Sequence, residues 1–458
     1  MKNLARILVL GGLAAFTLNA SAQNTNSGYF LDNYTYRYQL NPAMGNDKGF
    51  VAMPGLGNLN VAVRGNLHLK DVLYNVDGKT VLFSNPNVDA TQAMKGFSEK
   101  NRLGVNLREN IISVGFKAFN GYNTVSLNAR ADANVIVPKS FFSLVKEGVT
   151  NSTYDIRNLG ASATGYAELA LNHSREITQV PGLRVGAAMK FLVPFADIDA
   201  RFNEAYLQLG EDGWNAVTNA DVYVNAPKFQ FETKTSKEMR EYVSGANFDA
   251  DGGIKTQGFG MAFDLGATYD WNDFEFSAAV LDLGWMNLSN CHHSSTEGYR
   301  VVNTDAYIFN PNGEADNSFD KEWDRLQDNL ESLYQLTDLG NVNSRNHTMA
   351  ATLNFGVKYE LPQYRKLHFG LLSSTRLAGR YTWTEVRVSA NVAPVKCFSA
   401  DANVAFGTYG TSFGWLANVH LTGFNFFIGM DHTLGKVSKQ FVPLSSNASV
   451  NLGINFPF

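Results

Sequence analysis

Apolar and polar residues alternate one for one along many separate stretches of this chain, and that period restricts the fold more than any other feature. Successive side chains of a β-strand point to opposite faces, so strict alternation gives a strand one greasy side and one wet side. Leu59, Val61, Val63, Leu67 and Leu69 alternate with Asn60, Arg64, Asn66, His68 and Lys70. Phe259, Met261, Phe263, Leu265, Ala267, Tyr269 and Trp271 alternate with Gly260, Asp264, Gly266, Thr268 and Asp270. Residues 349–361 repeat the pattern with Thr352, Asn354, Lys358 and Glu360 on the wet side, and at the end of the sequence Val450, Leu452, Ile454, Phe456 and Phe458 share one parity. The clearest of these segments approach the length of a tilted strand crossing a bilayer, about 9–11 residues. A soluble sandwich also buries one face of each strand, so alternation alone leaves both architectures open.

The start of the chain moves the balance. Met1 to Ala22 carries Lys2 and Arg6, an apolar run from Ile7 to Leu18, and then Ala20-Ser21-Ala22, the small residues that signal peptidase requires. Residues 1–22 therefore read as a signal peptide, with the mature chain starting at Gln23. No later stretch reaches the ~18 consecutive apolar residues of a membrane helix, and no cysteine follows the cleavage site to take a lipid. The expectation is an all-β protein of the outer membrane: a transmembrane antiparallel β-barrel of about 14–16 strands in contact with outer-membrane lipid. Forty Gly, 19 Tyr and 32 Phe among 458 residues, with a mean hydropathy of −0.18, suit strands that are apolar on one face only. Without Lys2 and Arg6 the 38 basic residues become 36 against 42 acidic, a mature charge of −6. That balance argues against a nucleic-acid partner.

Turns sharpen the reading, because a two-residue hairpin pairs residues of opposite parity and the apolar phase must switch across it. It switches at four places. Asn120-Gly121 would set Val114 opposite Leu127, and Glu109-Asn110 would set Leu107 opposite Ile112. Asn272-Asp273 would set Trp271 opposite Phe274 and Leu265 opposite Val280, with a phase break at Val280-Leu281 that suggests a bulge. Thr422-Gly423 would set Leu421 opposite Phe424 and Trp415 opposite Met430. A hairpin centred on Gln179 would pair Glu168 with Lys190. Counting back from a periplasmic last strand puts residues 286–346 outside, with 233–258 beside them if 222–232 is a strand. Within the long outer loop Phe319, Trp323, Leu326 and Leu330, continuing to Leu333 and Leu336, follow helical spacing, with Ser318 as N-cap and Gly340 as the stop. A shorter helix is expected between Pro138 and Gly148.

Five segments together resemble an uncharacterised family of Bacteroidota outer-membrane barrels that is itself similar to the long-chain fatty-acid transporter superfamily. They are Gln39-Leu-Asn-Pro-Ala43, Asn110 to Phe116, Pro138 to Gly148, Tyr166 to Ala170 and Leu183 to Lys190. The resemblance implies a barrel, over residues 58–458, with an N-terminal segment, residues 23–57, lying inside it as a hatch. It carries no established substrate. Pro42 fixes its own φ and lacks a donor, so Asn41-Pro42 suits a tight internal bend.

The wet parity places Arg108, Arg130, Asp132, Glu168, Lys190, Asp264, Glu385, Arg387 and Asp401 in the barrel interior, where an ion without a partner is costly and matched pairs are expected. No nucleophile, base and orienting group share one segment, no catalytic residue stands out, and no phosphate-binding glycine loop is present. Cys291-His292-His293 offers metal-capable side chains but no further ligands nearby, and no cofactor or metal is expected. Cys291 and Cys397 are too sparse for a disulfide framework. Two function classes remain: a transporter or channel for hydrophobic or amphipathic small molecules, and a closed barrel that serves as a scaffold or secretion-system partner through its outer loops.

Overall fold

A computed structural model describes residues 25–148, 152–209, 213–236, 239–248, 255–303, 319–433 and 447–458. The signal-peptide assignment, the Ser318 cap and most of the connection 433–447 lie outside the described residues.

Fourteen antiparallel strands close into a barrel. They are β1 Asn58–Gly65, β2 Lys100–Ala118, β3 Gly121–Pro138, β4 Gly160–Glu176, β5 Leu183–Leu209, β6 Gly258–Trp271 and β7 Phe274–Ser295. There follow β8 Ala351–Glu360, β9 Leu367–Leu377, β10 Trp383–Val395, β11 Phe398–Gly407, β12 Gly410–Leu421, β13 Phe424–Met430 and β14 Ala448–Pro457. Closure runs through β14, which pairs with β13 at Asn425↔Asn455 and with β1 at Leu59↔Leu452, while β1 pairs on to β2 at Val61↔Leu107. Closing the sheet leaves no lipid-exposed backbone edge. Alternation then does the rest: on β8, Thr352, Asn354 and Lys358 are buried in the lumen while Phe355 is exposed outward. Trp271, Phe274 and Tyr359 cluster on the outer face at one end, with ring centroids 6.5 and 4.9 Å apart, as in the aromatic girdle of such barrels.

One end of the barrel, the inner end, has tight turns, and the other, the outer end, carries the long excursions. Two of the expected turns match the observed register in full: Trp271↔Phe274, Tyr269↔Phe276 and Leu265↔Val280 across Asn272-Asp273, and Leu421↔Phe424 and Trp415↔Met430 across Thr422-Gly423. The bulge falls at Leu281-Asp282, where Asp282 has φ +59°.

The other two turns need correction. The first hairpin turns at Phe119-Asn120, both at φ +56°, and Gly121 is already paired with Ala118. Val114 therefore faces Val125 rather than Leu127. Gly121 is small for a different reason: a Cβ there would overlap the carbonyl of Ser174 on the neighbouring strand. Glu109-Asn110 is no turn at all. Residues 100–118 form one strand whose register shifts between Asn110 and Ile112; a bulge flips the apolar parity just as a two-residue turn does. Glu168 and Lys190 sit on neighbouring strands and the same face, but Glu168 pairs with Leu192 and Lys190 with Ala170, because the turn is closed by Ile177 N donating to Leu183 O.

The outer end is built largely of strand. The 27-residue β5 pairs with β6 near the membrane, and beyond it with a rim strand, Trp214–Asn225, which replaces the expected 222–232. Strand Thr337–Thr348 pairs with the outer part of β7, so 286–346 continues the wall as well as forming a loop. The loop helix spans Phe319–Ser332 and stops short of Leu333 and Leu336; Gly340 lies within the next strand at φ +78°. The chain needs Leu333 and Leu336 elsewhere: both are buried in rim clusters, Leu336 beside Phe202, Val222 and Phe229. The other expected helix spans Lys139–Glu147, ending at Gly148 with φ +75°. Its Phe142 stacks on Phe97 with centroids 3.9 Å apart, capping the excursion 66–99. Leu67 belongs to that cap, and β1 ends at Gly65.

Candidate functional site: a plugged lumen between two cavities

Residues 25–47 run through the lumen and touch wall strands around most of its circumference. Thr25, Asn26 and Ser27 lie deep inside, and Tyr29, Phe30, Leu31, Tyr34, Tyr36 and Tyr38 are at most 5% exposed. The rings of Tyr34 and Tyr36 pack on Phe427 of β13, at 4.9 and 5.7 Å. Beyond Asp47 the chain joins the wall: Phe50–Ala52 pairs with β14 and Phe50-Val51 with β2, inside the span that the sequence assigns to the hatch.

The bend at Asn41-Pro42 is an Asx turn, with Ala43 N donating to Asn41 Oδ1 at 3.0 Å. The Asn41 side-chain amide donates across the lumen wall to Ala267 O and Ala278 O, at 3.2 and 3.3 Å. This close approach needs bare backbone: a Cβ on Gly266 would overlap Asn41 Oδ1, and one on Gly186 would overlap the Pro42 carbonyl.

Above the bend lies a layer of buried ions. Glu168 accepts from Arg108 at 3.2 Å and Arg130 at 2.8 Å; Arg130 also reaches both oxygens of Asp282 at 2.8 Å. Lys190 Nζ lies 2.6 Å from Asp264 and 2.7 Å from Asp282. Three cations face three carboxylates on six consecutive strands, β2 to β7, and each of these side chains is 8% exposed or less. Matching of this kind offsets the desolvation of each ion. Asp132 stands just above, paired with Arg376 at 3.2 Å.

A second cluster holds the beginning of the plug. Asp431 accepts from Asn26 N, Ser27 N and Ser27 Oγ at 2.9, 2.7 and 2.7 Å. Asn26 Nδ2 donates to Glu385 at 3.3 Å, and Glu385 accepts from Arg387 at 2.7 Å. Asn403 donates to both Ser27 Oγ and Asp401, and accepts from Arg387.

All nine charged residues read from parity thus face the lumen, in two groups. Sequence reasoning missed Asp282, the hub of the first group, because the bulge breaks the parity there; its signal is a lone carboxylate in an otherwise apolar stretch, Ala278 to Trp285. It also missed Asp431 and Arg376. Leu326 and Leu330 pack at the outer rim against Ala216 and Val302, away from the lumen; Phe319 and Trp323 lie on the same helix. Cys291, His292 and His293 serve the rim: His293 bonds Asp221 at 2.8 Å and stacks on Tyr223, and among the described residues no group of three metal-capable side chains converges. Cys291 and Cys397 are both free.

The plug and the ion layer separate two cavities. The outer one, about 360 Å³, is bordered by Asp132, Tyr166, His347, Arg376, Trp383 and Tyr409. The inner one, about 560 Å³, is bordered by Asp32, Arg37, Met44, Asp270, Glu275 and Lys358. Between them, beside Asn26, Arg108, Arg130 and Asp282, lies a void of about 20 Å³.

The model of a family of unknown function, DUF5723, matches residues 42–431. No curated protein shows a detectable sequence relationship to the chain. Among solved structures, the toluene transporter TodX of P. putida superposes with a TM-score of 0.40 at 9% identity, covering 96% of this chain and 95% of that one. A FadL homologue of Pseudomonas aeruginosa gives 0.35 at 10% identity, covering 96% and 98%. The translocator domain of the autotransporter NalP from Neisseria meningitidis gives 0.31 at 8%, covering 90% of each.

Proposed function

The chain belongs to the DUF5723 family, and we propose that it is an outer-membrane transporter for hydrophobic or amphipathic small molecules, closed in this structure by its N-terminal segment. The observation that carries the reading is the pair of cavities on opposite sides of one barrier: a scaffold filled for rigidity alone has no need of them. The barrier is made by residues 25–47 and the ion layer, and its residues belong to two classes. The six ions of the layer are matched to one another and stay put when the plug leaves. The plug is held by hydrogen bonds and packed rings, with Asp431 at one end and Lys358 at the other. Such contacts are individually worth about 0.5–1.5 kcal/mol, up to about 3 when charged, so displacement of the plug by stages is feasible where removal of a wall ion is not. In this reading Asn41 and Pro42 form the bend about which the hatch is seated.

The test locks the hatch. In a Cys291→Ser, Cys397→Ser background, Ser27→Cys and Asn403→Cys place two thiols where plug and wall side chains meet, Asn403 Nδ2 and Ser27 Oγ being 3.0 Å apart. Liposomes carrying the oxidised protein should admit no more of an uncharged labelled amphiphile, such as a fluorescent aryl glycoside, than empty liposomes do, and reduction should raise its entry. Equal permeation before and after reduction, or none above empty liposomes in either state, would leave the scaffold reading.

A further inference from the structure

The outer cavity has a wall chemistry that selects among amphiphiles. Arg64, Asp132, Asp199 and Arg376 border it together with the imidazole of His347, and each already lies against a group that can carry the opposite charge. Asp132 is paired with Arg376 at 3.2 Å, and Asp199 accepts from Arg201, also at 3.2 Å. His347 lies 3.0 Å from Asp197, and Arg64 lies 3.8 Å from Asp431 while covering the Trp383 ring at 4.6 Å. A charged solute entering here would have to compete for one partner of a matched pair and leave the other less well compensated, most unfavourably at Arg64 and Asp431, whose side chains are 3% and 2% exposed. An uncharged solute has no such conflict. The carboxylate and guanidinium groups of intact pairs keep spare lone pairs and N–H groups, and hydroxyls can use these without separating the ions.

The remaining wall is of two kinds. Tyr166, Tyr381, Trp383 and Tyr409 present rings, with Met349 and Leu377 beside them, while Asn134, Ser162 and Thr348 add neutral donors and acceptors. Rings and neutral hydrogen-bonding groups in one lining suit a molecule that carries both an apolar ring face and hydroxyls. At about 360 Å³ the cavity falls in the range of small-ligand sites, ~300–1,000 Å³.

We propose that this cavity is a capture site for an uncharged, hydroxyl-bearing ring solute, of the size of a simple aromatic glycoside. The inference rests on the transport reading above and narrows its solute class: fatty carboxylates and organic cations are disfavoured at this site, neutral hydroxylated rings favoured.

The experiment uses the full-length protein in lipid nanodiscs, because alkyl-glucoside detergents would themselves occupy the site. Titration calorimetry with phenyl β-D-glucoside should show saturable binding at one site, whereas laurate and benzyltrimethylammonium bind at least tenfold more weakly. Trp383→Ala should weaken glucoside binding by about tenfold, the loss of one well-packed ring contact. Should that variant fail to give folded, heat-modifiable protein, Tyr409→Ala, at a ring less buried than that of Trp383, replaces it, with a smaller loss in the same direction. Laurate binding more tightly than the glucoside, or glucoside affinity unchanged in the folded ring variant, would overturn the inference. Parallel permeation assays separate the two readings: solute entry without saturable glucoside binding overturns the capture site and leaves transport standing, while saturable binding without entry of any solute supports the site and counts against transport.

Discussion

The inner and outer halves of the lumen are lined by the same fourteen strands and yet are filled by opposite means. In the inner half, beyond an open mouth of about 560 Å³, the wall is made small and the space is taken by the chain's own N-terminal segment: Gly186, Gly266 and Gly370 stand where a side chain would overlap Pro42, Asn41 and Phe30. In the outer half the wall side chains are large, and Arg64, Tyr166, Arg376 and Trp383 surround open space. The ion layer of Arg108, Arg130, Glu168, Lys190, Asp264 and Asp282 lies at the boundary. The contrast teaches that lumen-facing is not one environment: a polar residue there can be packed as tightly as a core residue or stand in a wet cavity, and the two respond differently to change.

The largest expected effect comes from the boundary. Arg130→Met leaves Glu168 and Asp282 short of a cation that reaches both, and breaking a buried pair in this way costs about 3–5 kcal/mol; urea or thermal unfolding in lipid should show it, and a loss below about 1 kcal/mol would mean that water reaches the layer freely. Next, Leu353→Arg on the lipid face should cost about 2–4 kcal/mol near the midplane. From parity alone, Asn354→Arg should be milder. The structure reverses that ordering for the closed state, because Asn354 is 1% exposed and donates to Leu40 O of the plug at 2.9 Å. Asn354→Arg should therefore raise liposome permeability while Leu353→Arg does not, and the opposite pattern would break the division between packed and open halves.

Gly266→Val should cost about 1–3 kcal/mol, the usual range for overpacking, and it should act on the plug rather than on the barrel. Expected is a folded, heat-modifiable protein whose residues 25–47 become cleavable by a protease added from the periplasmic side; an unaltered digest would show that the wall yields instead.

The smallest effect concerns pH. Asp32, at the inner mouth, is subject first to burial, which pushes its carboxyl up, but Arg37 and Lys358 at 2.8 and 3.2 Å outweigh this and hold it at about 2. Its folded value is thus below the usual carboxylate range near 3.9, so its contribution is present above about pH 4 and is lost as pH falls toward 2. The Asp32 side chain is 43% exposed, so solvent screening keeps the contribution below about 1 kcal/mol. Plug protection against protease should be flat between pH 7 and 5 and should weaken only below about pH 3, with Asp32→Asn insensitive to that drop. Loosening already at pH 5 to 6 would point to a histidine and not to this carboxylate.

Much of the barrel was legible in the chain because a membrane strand must show one apolar face whatever its neighbours are. The hairpins at Asn272-Asp273 and Thr422-Gly423 were legible for the same reason: the parity switch and the turn residues coincide there. At Asn110 the same switch belongs to a bulge, and at Gly121 a turn-forming residue serves close strand approach instead, so local signals with two physical causes were assigned to the wrong one. Asp282 was hidden by its own bulge, which takes it out of the parity that marks the other lumen charges.

The sequence by itself determined which face meets lipid along the strands whose alternation is unbroken, since apolar surface in the bilayer and polar surface out of it is a constraint on every residue separately. It also determined that the interior charges exist in both signs. Which charge meets which, and where the lumen is blocked, only the tertiary structure decided. Arg130 finds Asp282 across 152 positions and Asn26 finds Asp431 across 405, contacts fixed by barrel closure and strand stagger. Those are properties of the whole ring, and no local period encodes them.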